Sequence, residues 1–320
     1  MTVPASRSRL IAAFAAVYLI WGSTYLAIRF GVATIPPFIM AGIRFTIAGA
    51  LLYAWLRFRG APKPTRAHWR SAAIIGFLLL VAGNGVVAWA EQVVPSGLTA
   101  LVIAAVPMWM VLMDWMFNKV RPNKTVVIGL LMGFAGIAFL VDPGELSGNA
   151  MTDVAGFAAL MIATISWAGG SLYSRSAHLP DSPFLSTAME MLVAGVMLFV
   201  VGFWLGEGSA FDMSRITLQS AGAVGYLIVA GSLLGLTSYI WLLRATTTAR
   251  ASTYAYVNPV VAVFLGWLIA DEQLTGRMMI AAVIIVAAVI LIITYRGRAP
   301  QPKADTVIGT KPEVALESHS

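Results

Sequence analysis

The sequence predicts an all-α integral membrane protein with ten transmembrane helices, arranged as two five-helix repeats of inverted topology with both termini in the cytoplasm. Three observations carry this prediction: the composition, ten apolar segments, and an internal repeat. Of the 320 residues, 59% are hydrophobic and 11% are charged, whereas soluble domains carry about 25% charged residues. A water-soluble fold could not bury this much apolar surface, so the solvent of the chain is lipid.

The ten segments are each close to the roughly 20 apolar residues that a spanning helix needs. The first follows Arg7 and Arg9, but its apolar run is longer than the core of a signal peptide, so we expect a retained helix. Short loops separate the segments, which lie at about 10–30, 36–57, 70–90, 95–118, 124–141, 153–174, 183–206, 216–243, 250–270 and 275–295.

The loops divide the basic residues unequally. If the N-terminus is placed in the cytoplasm, only Arg215 and Arg277 lie on the outer side of the membrane, and Arg29 and Arg44 lie within segments. The other seventeen of the twenty-one Lys and Arg residues then lie on the cytoplasmic side. The outer loops are acidic instead, and they include Glu91 and Glu272 in this interpretation. Positive loops favour the cytoplasmic side, so the sequence predicts an N-in, C-in protein of the bacterial inner membrane.

The internal repeat relates the two halves. Each half has five segments, and this odd number requires the halves to enter the membrane in opposite directions, which is typical of transporters with a midplane substrate site. Four pairs recur at a step of 146 residues: Trp21 with Trp167, Arg29 with Arg175, Pro37-Phe38 with Pro183-Phe184, and Ala48-Gly49 with Ala194-Gly195. Two pairs recur at a step of 152 residues: Trp89 with Trp241, and Pro107 with Pro259.

The predicted organisation follows from the repeat and the composition. It comprises a cytoplasmic N-terminus (1–9), a first repeat (10–141), an outer linker (142–152), a second repeat (153–296) and a disordered cytoplasmic tail (297–320).

Three ionisable residues lie inside apolar segments, namely Arg44, Asp114 and Glu190. Charges within the bilayer are costly, so such residues face the interior of a bundle and often serve a site. Arg44 and Glu190 are repeat equivalents of opposite charge. Arg44 could hold a substrate carboxylate, while Glu190 could hold an ammonium or a coupling proton, and Asp114 is a second candidate for proton coupling. The structural alternative is that these residues pair with each other, with backbone carbonyls or, for Asp114, with Lys119.

Aromatic and polar residues at helical spacing predict the walls of a cavity between the halves, with helix packing as the alternative. Pro107 and Pro259 each free a carbonyl four residues earlier, that of Ile103 or Ala255, and paired helix breaks are typical of transporter sites. The remaining substrate-binding candidates are Trp21, Tyr25, Asn84, Trp167, Ser171, Thr187, Tyr254 and Asn258.

The partners predicted from the sequence are a lipid bilayer and a small-molecule substrate. No cofactor, metal or nucleic acid is expected: the chain has no cysteine, no phosphate-binding loop and no paired metal ligands. Gly129 and Gly133 form a small-xxx-small motif, which favours close helix packing or a homodimer.

Several motifs carry a family resemblance: the segment Ile20–Tyr25, Arg44-Phe45, Gly83-Asn84-Gly85, Glu91-Gln92 with Pro95-Ser96-Gly97, and the segment Tyr254–Val260. Together they resemble the drug/metabolite transporter superfamily, and within it the EamA-like exporters of bacteria. The resemblance covers about residues 10–295. It implies two inverted five-helix repeats, a cavity lined by the first four helices of each, and peripheral fifth helices. Asp271 stands where many members have glycine.

These observations predict a secondary transporter that exports or exchanges small organic metabolites, such as amino acids or drugs, by alternating access. Proton antiport and facilitative uniport both fit the sequence. Two other classes remain as alternatives. A channel or a structural membrane protein would not perform coupled transport, and an intramembrane enzyme would need a nucleophile or metal cluster that the sequence does not display.

Overall fold

The computed structural model describes residues 7–140, 150–245 and 253–296, and within these ranges it is helical without any strand. Most of the predicted outer linker and the predicted tail, residues 297–320, lie outside the described residues. The long helices are α1 (Arg7–Val32), α2 (Pro37–Phe58), α3 (Arg66–Ala90), α4 (Ser96–Asn118), α5 (Lys124–Leu140), α6 (Ala150–Tyr173), α7 (Pro183–Trp204), α8 (Leu218–Tyr226, continuing through Leu227–Gly235 and Leu236–Ala245), α9 (Tyr254–Ala270) and α10 (Gly276–Arg296).

Within the described ranges, eight of these helices are long and apolar enough to cross a membrane, and α5 and α9 are shorter apolar helices. A rise of about 1.5 Å per residue makes a helix of about 20 residues as long as the hydrocarbon core is thick. Large apolar side chains such as Leu131, Phe203 and Val283 are more than half exposed on the outside of the bundle. These side chains would be unfavourable in water and are placed suitably for contact with lipid.

Two helices contain a π-helical stretch in their middle. In α3 it covers Phe77–Gly85, and in α8 it covers Leu227–Gly235. π-Helical turns are rare and occur frequently at functional sites. Both stretches face the interior of the bundle, where they contact helices of the other half.

The contacts between the two halves are symmetric, so that corresponding helices of each half pack on corresponding helices of the other. Helix α1 packs on α8 and α9, while α6 packs on α3 and α4. Across the halves, α2 also packs on α7 and α8, α3 on α7, α4 on α9, and α5 on α10. Each pairing therefore has a counterpart when the halves are interchanged.

Glycines allow close approach at the α2–α7 crossing. A Cβ atom on Gly49 would lie 2.9 Å from the backbone N of Leu192, and one on Gly195 would lie 2.8 Å from the backbone N of Thr46. Gly49 and Gly195 are repeat equivalents, so the crossing is formed by the same position of each half.

The small-xxx-small motif of α5 is used inside the chain. Gly129 packs against Ile292 and the carbonyl of Ala288, and Gly133 packs against Met108 and Ala288. The prediction of close helix packing therefore describes this motif, because its two glycines contact α10 and α4 of the same chain and are not available to a second copy.

Candidate substrate-binding cavity

A cavity of about 760 Å³ lies between the halves and is lined by residues of α1–α4 and α6–α10. All ten substrate-binding candidates from the sequence contribute to its wall, as do Pro107 and Pro259. Asp114 does not line it. The wall is mainly apolar with a few polar groups, which is typical of small-molecule sites.

Arg44 is the buried cation of the cavity. Its side chain is 7% exposed, its Nε donates to the hydroxyl of Ser232 at 3.0 Å, and its guanidinium lies 4.7 Å from the centre of the Phe45 ring. No carboxylate lies within ion-pair distance of it among the described residues. The guanidinium has five N–H donors, so most of its hydrogen-bonding capacity is left for another group in the cavity.

Glu190 is the partly buried anion of the cavity. Neither a hydrogen bond nor an ion pair joins its carboxylate to another described side chain, so the structural alternative, in which Arg44 and Glu190 neutralise each other, is wrong for this conformation. Its helix contributes Thr187 to the same wall, and the backbone of Glu190 contacts Gly76 of α3. The interior of the cavity thus presents a cation, Arg44, and an anion, Glu190, that are not paired with each other.

Aromatic side chains form one end of the cavity wall. The ring centres of Trp21, Tyr239 and Tyr254 lie 5.0, 5.1 and 5.4 Å apart in the three pairs. Trp21 also donates its Nε1–H to the carbonyl of Gly231 at 3.2 Å. Its repeat equivalent Trp167 packs against Gly83 of α3. Each tryptophan therefore rests on the π-helical stretch of the opposite half.

The amide and hydroxyl candidates differ in whether their side-chain groups have hydrogen-bond partners within the protein. Ser171 donates to the carbonyl of Trp167 at 2.7 Å, and Asn84 donates to the carbonyl of Leu79 at 3.4 Å. Asn258 is 5% exposed, and its side-chain oxygen has no hydrogen-bond partner among the described residues. Buried polar atoms are normally satisfied, so the Asn258 oxygen is available to a donor within the cavity.

The two prolines differ in effect, although both line the cavity. Helix α4 is interrupted at Ala104 and Ala105, and Pro107 lies in the first turn of its second part, which begins at Val106. Pro259 instead lies inside α9, which runs without a break from Tyr254 to Ala270. The prediction of paired breaks is therefore wrong for α9. Its proline lies in the second turn, where it lacks the N–H that would bond the carbonyl of Ala255 but does not end the helix.

Asp114 pairs across the halves rather than with Lys119. Its carboxylate lies 3.6 Å from the guanidinium of Arg175 and accepts a 2.9 Å hydrogen bond from Asn118. Lys119 donates instead to the carbonyl of Met116. Arg175 lines the cavity and is half exposed, so the cavity reaches the surface at this end of the bundle, which we call the Arg175 face.

The opposite end contains a polar cluster, and the sequence analysis assigned two of its residues, Glu91 and Glu272, to outer loops. We call it the Glu272 face, defined by Arg29, Glu91, Ser96 and Glu272. Glu272 is 7% exposed and accepts from the Arg29 guanidinium at 2.9 Å, from the N–H and hydroxyl of Ser96 at 2.8 and 2.7 Å, and from the N–H of Gly97 at 3.0 Å. None of these residues lines the cavity.

Sequence reasoning also missed Ser232 and Tyr239, which both line the cavity. Ser232 is a polar residue within an apolar segment, and that property could have identified it. Tyr239 has no comparable signal, because it becomes part of the site only through its contacts with Trp21 and Tyr254.

A bundle of apolar helices around an internal, partly charged cavity defines a polytopic membrane protein that handles small molecules. Comparison with known proteins gives the family. The model of the EamA-like transporter family matches residues 8–142 and 154–294, so the chain belongs to this family and is a membrane transporter, not an enzyme. The resemblance noted from the sequence motifs is thereby confirmed.

Individual relatives agree with this assignment. The chain is 42% identical over 284 residues to the uncharacterized inner membrane transporter YedA of Escherichia coli K12, covering 88% of this chain and 90% of that protein. It is 24% identical to the uncharacterized transporter YoaV of Bacillus subtilis, covering 84% and 91%. A solved crystal structure with 22% identity superposes with a TM-score of 0.64 over 91% of this chain and all of the other, which shows a shared fold.

Proposed function

We propose that the protein is a secondary transporter of the bacterial inner membrane that exports or exchanges small zwitterionic metabolites by alternating access. The observation that carries the proposal is the placement of unpaired Arg44 and Glu190 in one cavity. A transporter must pay the cost of charges in the membrane, and a substrate that carries both charges would offset it. Arg44 would bind the carboxylate, and Glu190 would bind the ammonium.

The aromatic wall adds a preference for the rest of the substrate. Trp21, Tyr25, Trp167 and Tyr254 line the cavity together with apolar side chains, and Asn258 contributes an unpaired oxygen. An amino acid or related metabolite with an apolar or aromatic body would satisfy both the charged and the apolar parts of this wall.

We further propose ten membrane crossings in two inverted repeats, with both termini in the cytoplasm. The exchange of equivalent contacts between the halves, including the crossing at Gly49 and Gly195, supports this topology. The Arg175 face would then be cytoplasmic and the Glu272 face external. If a homodimer forms, it would use the lipid-exposed sides of the fifth helices, such as Leu131 and Val283.

Coupling to protons is part of the proposal. Asp114 is already engaged by Arg175 and Asn118, whereas Glu190 has no described partner, which makes Glu190 the better of the two candidates within the bundle. Substrate exchange without protons is the competing mode. Flux through Glu190→Gln, measured with and without a pH gradient, separates the two: gradient-driven flux that survives the substitution unchanged would exclude Glu190 as the proton site.

The substrate assignment can be tested by counterflow in proteoliposomes. The competitors form three matched series: amino acids, the amines that lack the carboxylate, and the carboxylic acids that lack the amine. We expect the amino acids to compete best. Charge-assisted hydrogen bonds contribute about 1.5–3 kcal/mol, so removing one charged partner should weaken competition by about 10- to 150-fold.

Two variants test which cavity residue binds which charged group of the substrate. Arg44→Gln should remove the advantage of amino acids over amines, and Glu190→Gln should remove their advantage over acids. Arg215→Gln and Asp212→Asn alter the exposed charges of a loop and serve as controls that should leave the order unchanged. Equal competition by all three series would contradict the zwitterion proposal, and flux that neither saturates nor shows counterflow would indicate a channel.

A further inference from the structure

The Glu272 face holds a second carboxyl group that the ion pair does not satisfy. Glu91 follows the last residue of α3 and is 3% exposed. Neither of its carboxyl oxygens has a hydrogen bond of standard geometry among the described residues. A buried ionised carboxylate without partners is strongly unfavourable, so its surroundings determine whether it carries a charge.

The charged and titratable groups near Glu91 come from three other elements. Tyr25 and Arg29 lie on α1, Arg44 lies on α2, and Glu272 lies in the turn between α9 and α10. Of the two cations, Arg29 is already bound by Glu272. Burial and then the Glu272 charge raise the pKa of Glu91 well above its usual value, while the charge and the backbone N–H of Arg29 and the charge of Arg44 reduce this shift without cancelling it.

The ion pair also closes this face. The Glu272 carboxylate belongs to the second half, while its donors on Arg29, Ser96 and Gly97 belong to the first. Nearby, Glu207 of the second half accepts from the backbone N–H groups of Phe38 and Ile39 at the start of α2. Opening this face would separate these groups and admit water to Glu91.

We propose that Glu91 is a proton-binding site that is occupied while the Glu272 face is closed, so that closing this face takes up one proton and opening it releases one. The inference rests on the alternating opening of two faces in the proposed function. Glu91 would be a second proton-binding carboxyl group, outside the cavity, in addition to Glu190 inside it. No cation lies within ion-pair distance of Glu91 among the described residues, and a proton is the smallest group that neutralises its carboxylate.

The sign of the pH dependence follows from this placement. The closed face binds the proton more tightly than the open face, so raising the pH favours opening. One linked proton changes the equilibrium between open and closed by up to about tenfold per pH unit. The effect ends at low pH, where Glu91 is protonated in both states.

Thiol labelling of the purified full chain tests the proposal, since the chain has no cysteine of its own. Thr99 lies one turn after Ser96, is fully buried, and its hydroxyl has no partner among the described residues, so Thr99→Cys reports opening without breaking a described bond. Ser209→Cys places a thiol on an exposed site. The ratio of the two labelling rates cancels the effect of pH on thiol reactivity.

With Glu91 present, the ratio should rise with pH, by up to about tenfold per unit. In Glu91→Gln, which is permanently neutral, the ratio should stay low and nearly constant, and Glu91→Asp should restore the rise. A flat ratio with Glu91 present, a rise that persists in Glu91→Gln, or fast labelling of Glu91→Gln at every pH while it remains monodisperse would each overturn the proposal.

The labelling requires no substrate, which separates this proposal from the preceding one. A pH-dependent ratio together with failed counterflow would reject the zwitterion assignment alone. Counterflow together with a flat ratio would reject the role of Glu91 alone.

Discussion

Substitution of Gly195 by alanine tests the close crossing of α2 and α7. The added Cβ would lie 2.8 Å from the backbone N of Thr46, whereas carbon contacts are favourable at about 3.5–4.0 Å. The added Cβ would also meet the Thr46 hydroxyl, which can rotate away, but the contact with the backbone N cannot be relieved by a side-chain rotation. The two helices must therefore separate by roughly 0.7 Å or more. Overpacking of this kind costs about 1–3 kcal/mol.

The matched control for this prediction is Gly225→Ala in α8, where no atom of the described residues lies within 4 Å of the added Cβ. Alanine in an open helical position is expected to stabilise by about 0.5–1 kcal/mol. Thermal unfolding in detergent, followed by tryptophan fluorescence, should give a lower Tm for Gly195→Ala and an unchanged or higher Tm for Gly225→Ala. Equal Tm values for the two variants would refute the reasoning from the crossing.

Three further predictions concern the two faces and the helix ends. Glu272→Gln should lower stability by about 1–3 kcal/mol and speed labelling at Thr99→Cys, because it weakens the bond with Arg29; an unchanged labelling rate would contradict a closing role. Asp271 has a φ of 52° and Lys119 has a φ of 57°, so Asp271→Gly and Lys119→Gly should each raise stability by about 1 kcal/mol, measurable as a higher Tm. Asp114→Asn should cost less than about 1 kcal/mol, since its partner Arg175 lies 3.6 Å away and is half exposed; a loss as large as that of Glu272→Gln would contradict this difference between the faces.

The family resemblance and the structure together explain the residue at position 271. Many members have glycine there, and this chain places an aspartate in the left-handed region that glycine favours. Lys119, 152 residues earlier, ends α4 in the same conformation. The departure from the family pattern therefore concerns backbone strain at a helix end.

The membrane-protein class and the residues of the cavity could be predicted from the sequence because they depend on local properties. Apolar length identifies a spanning helix, and a polar residue such as Glu190 within such a segment must avoid lipid. The ten substrate-binding candidates meet in one cavity for this reason.

The buried state of Glu91 and Glu272 could not be predicted in the same way. Both lie at helix ends, where an acidic residue is ordinarily exposed, and their burial depends on how a turn of the second half meets α1 and α4 of the first. The pairing of Asp114 with Arg175 likewise depends on the packing of α4 against α6. Such contacts join residues that no local pattern relates.

The π-helical stretches of α3 and α8 give the cavity wall two possible registers. A π-helical turn spans one more residue between its hydrogen-bonded groups than an α-helical turn. If the π-helical turn shifted to another position along the helix, the residues between its old and new positions would rotate by about 100° about the helix axis. Such a rotation would turn Asn84 or Ser232 relative to the cavity while nearly all backbone bonds are kept. The chain thus has, in each half, a way to change the polarity of its central wall without moving a whole helix.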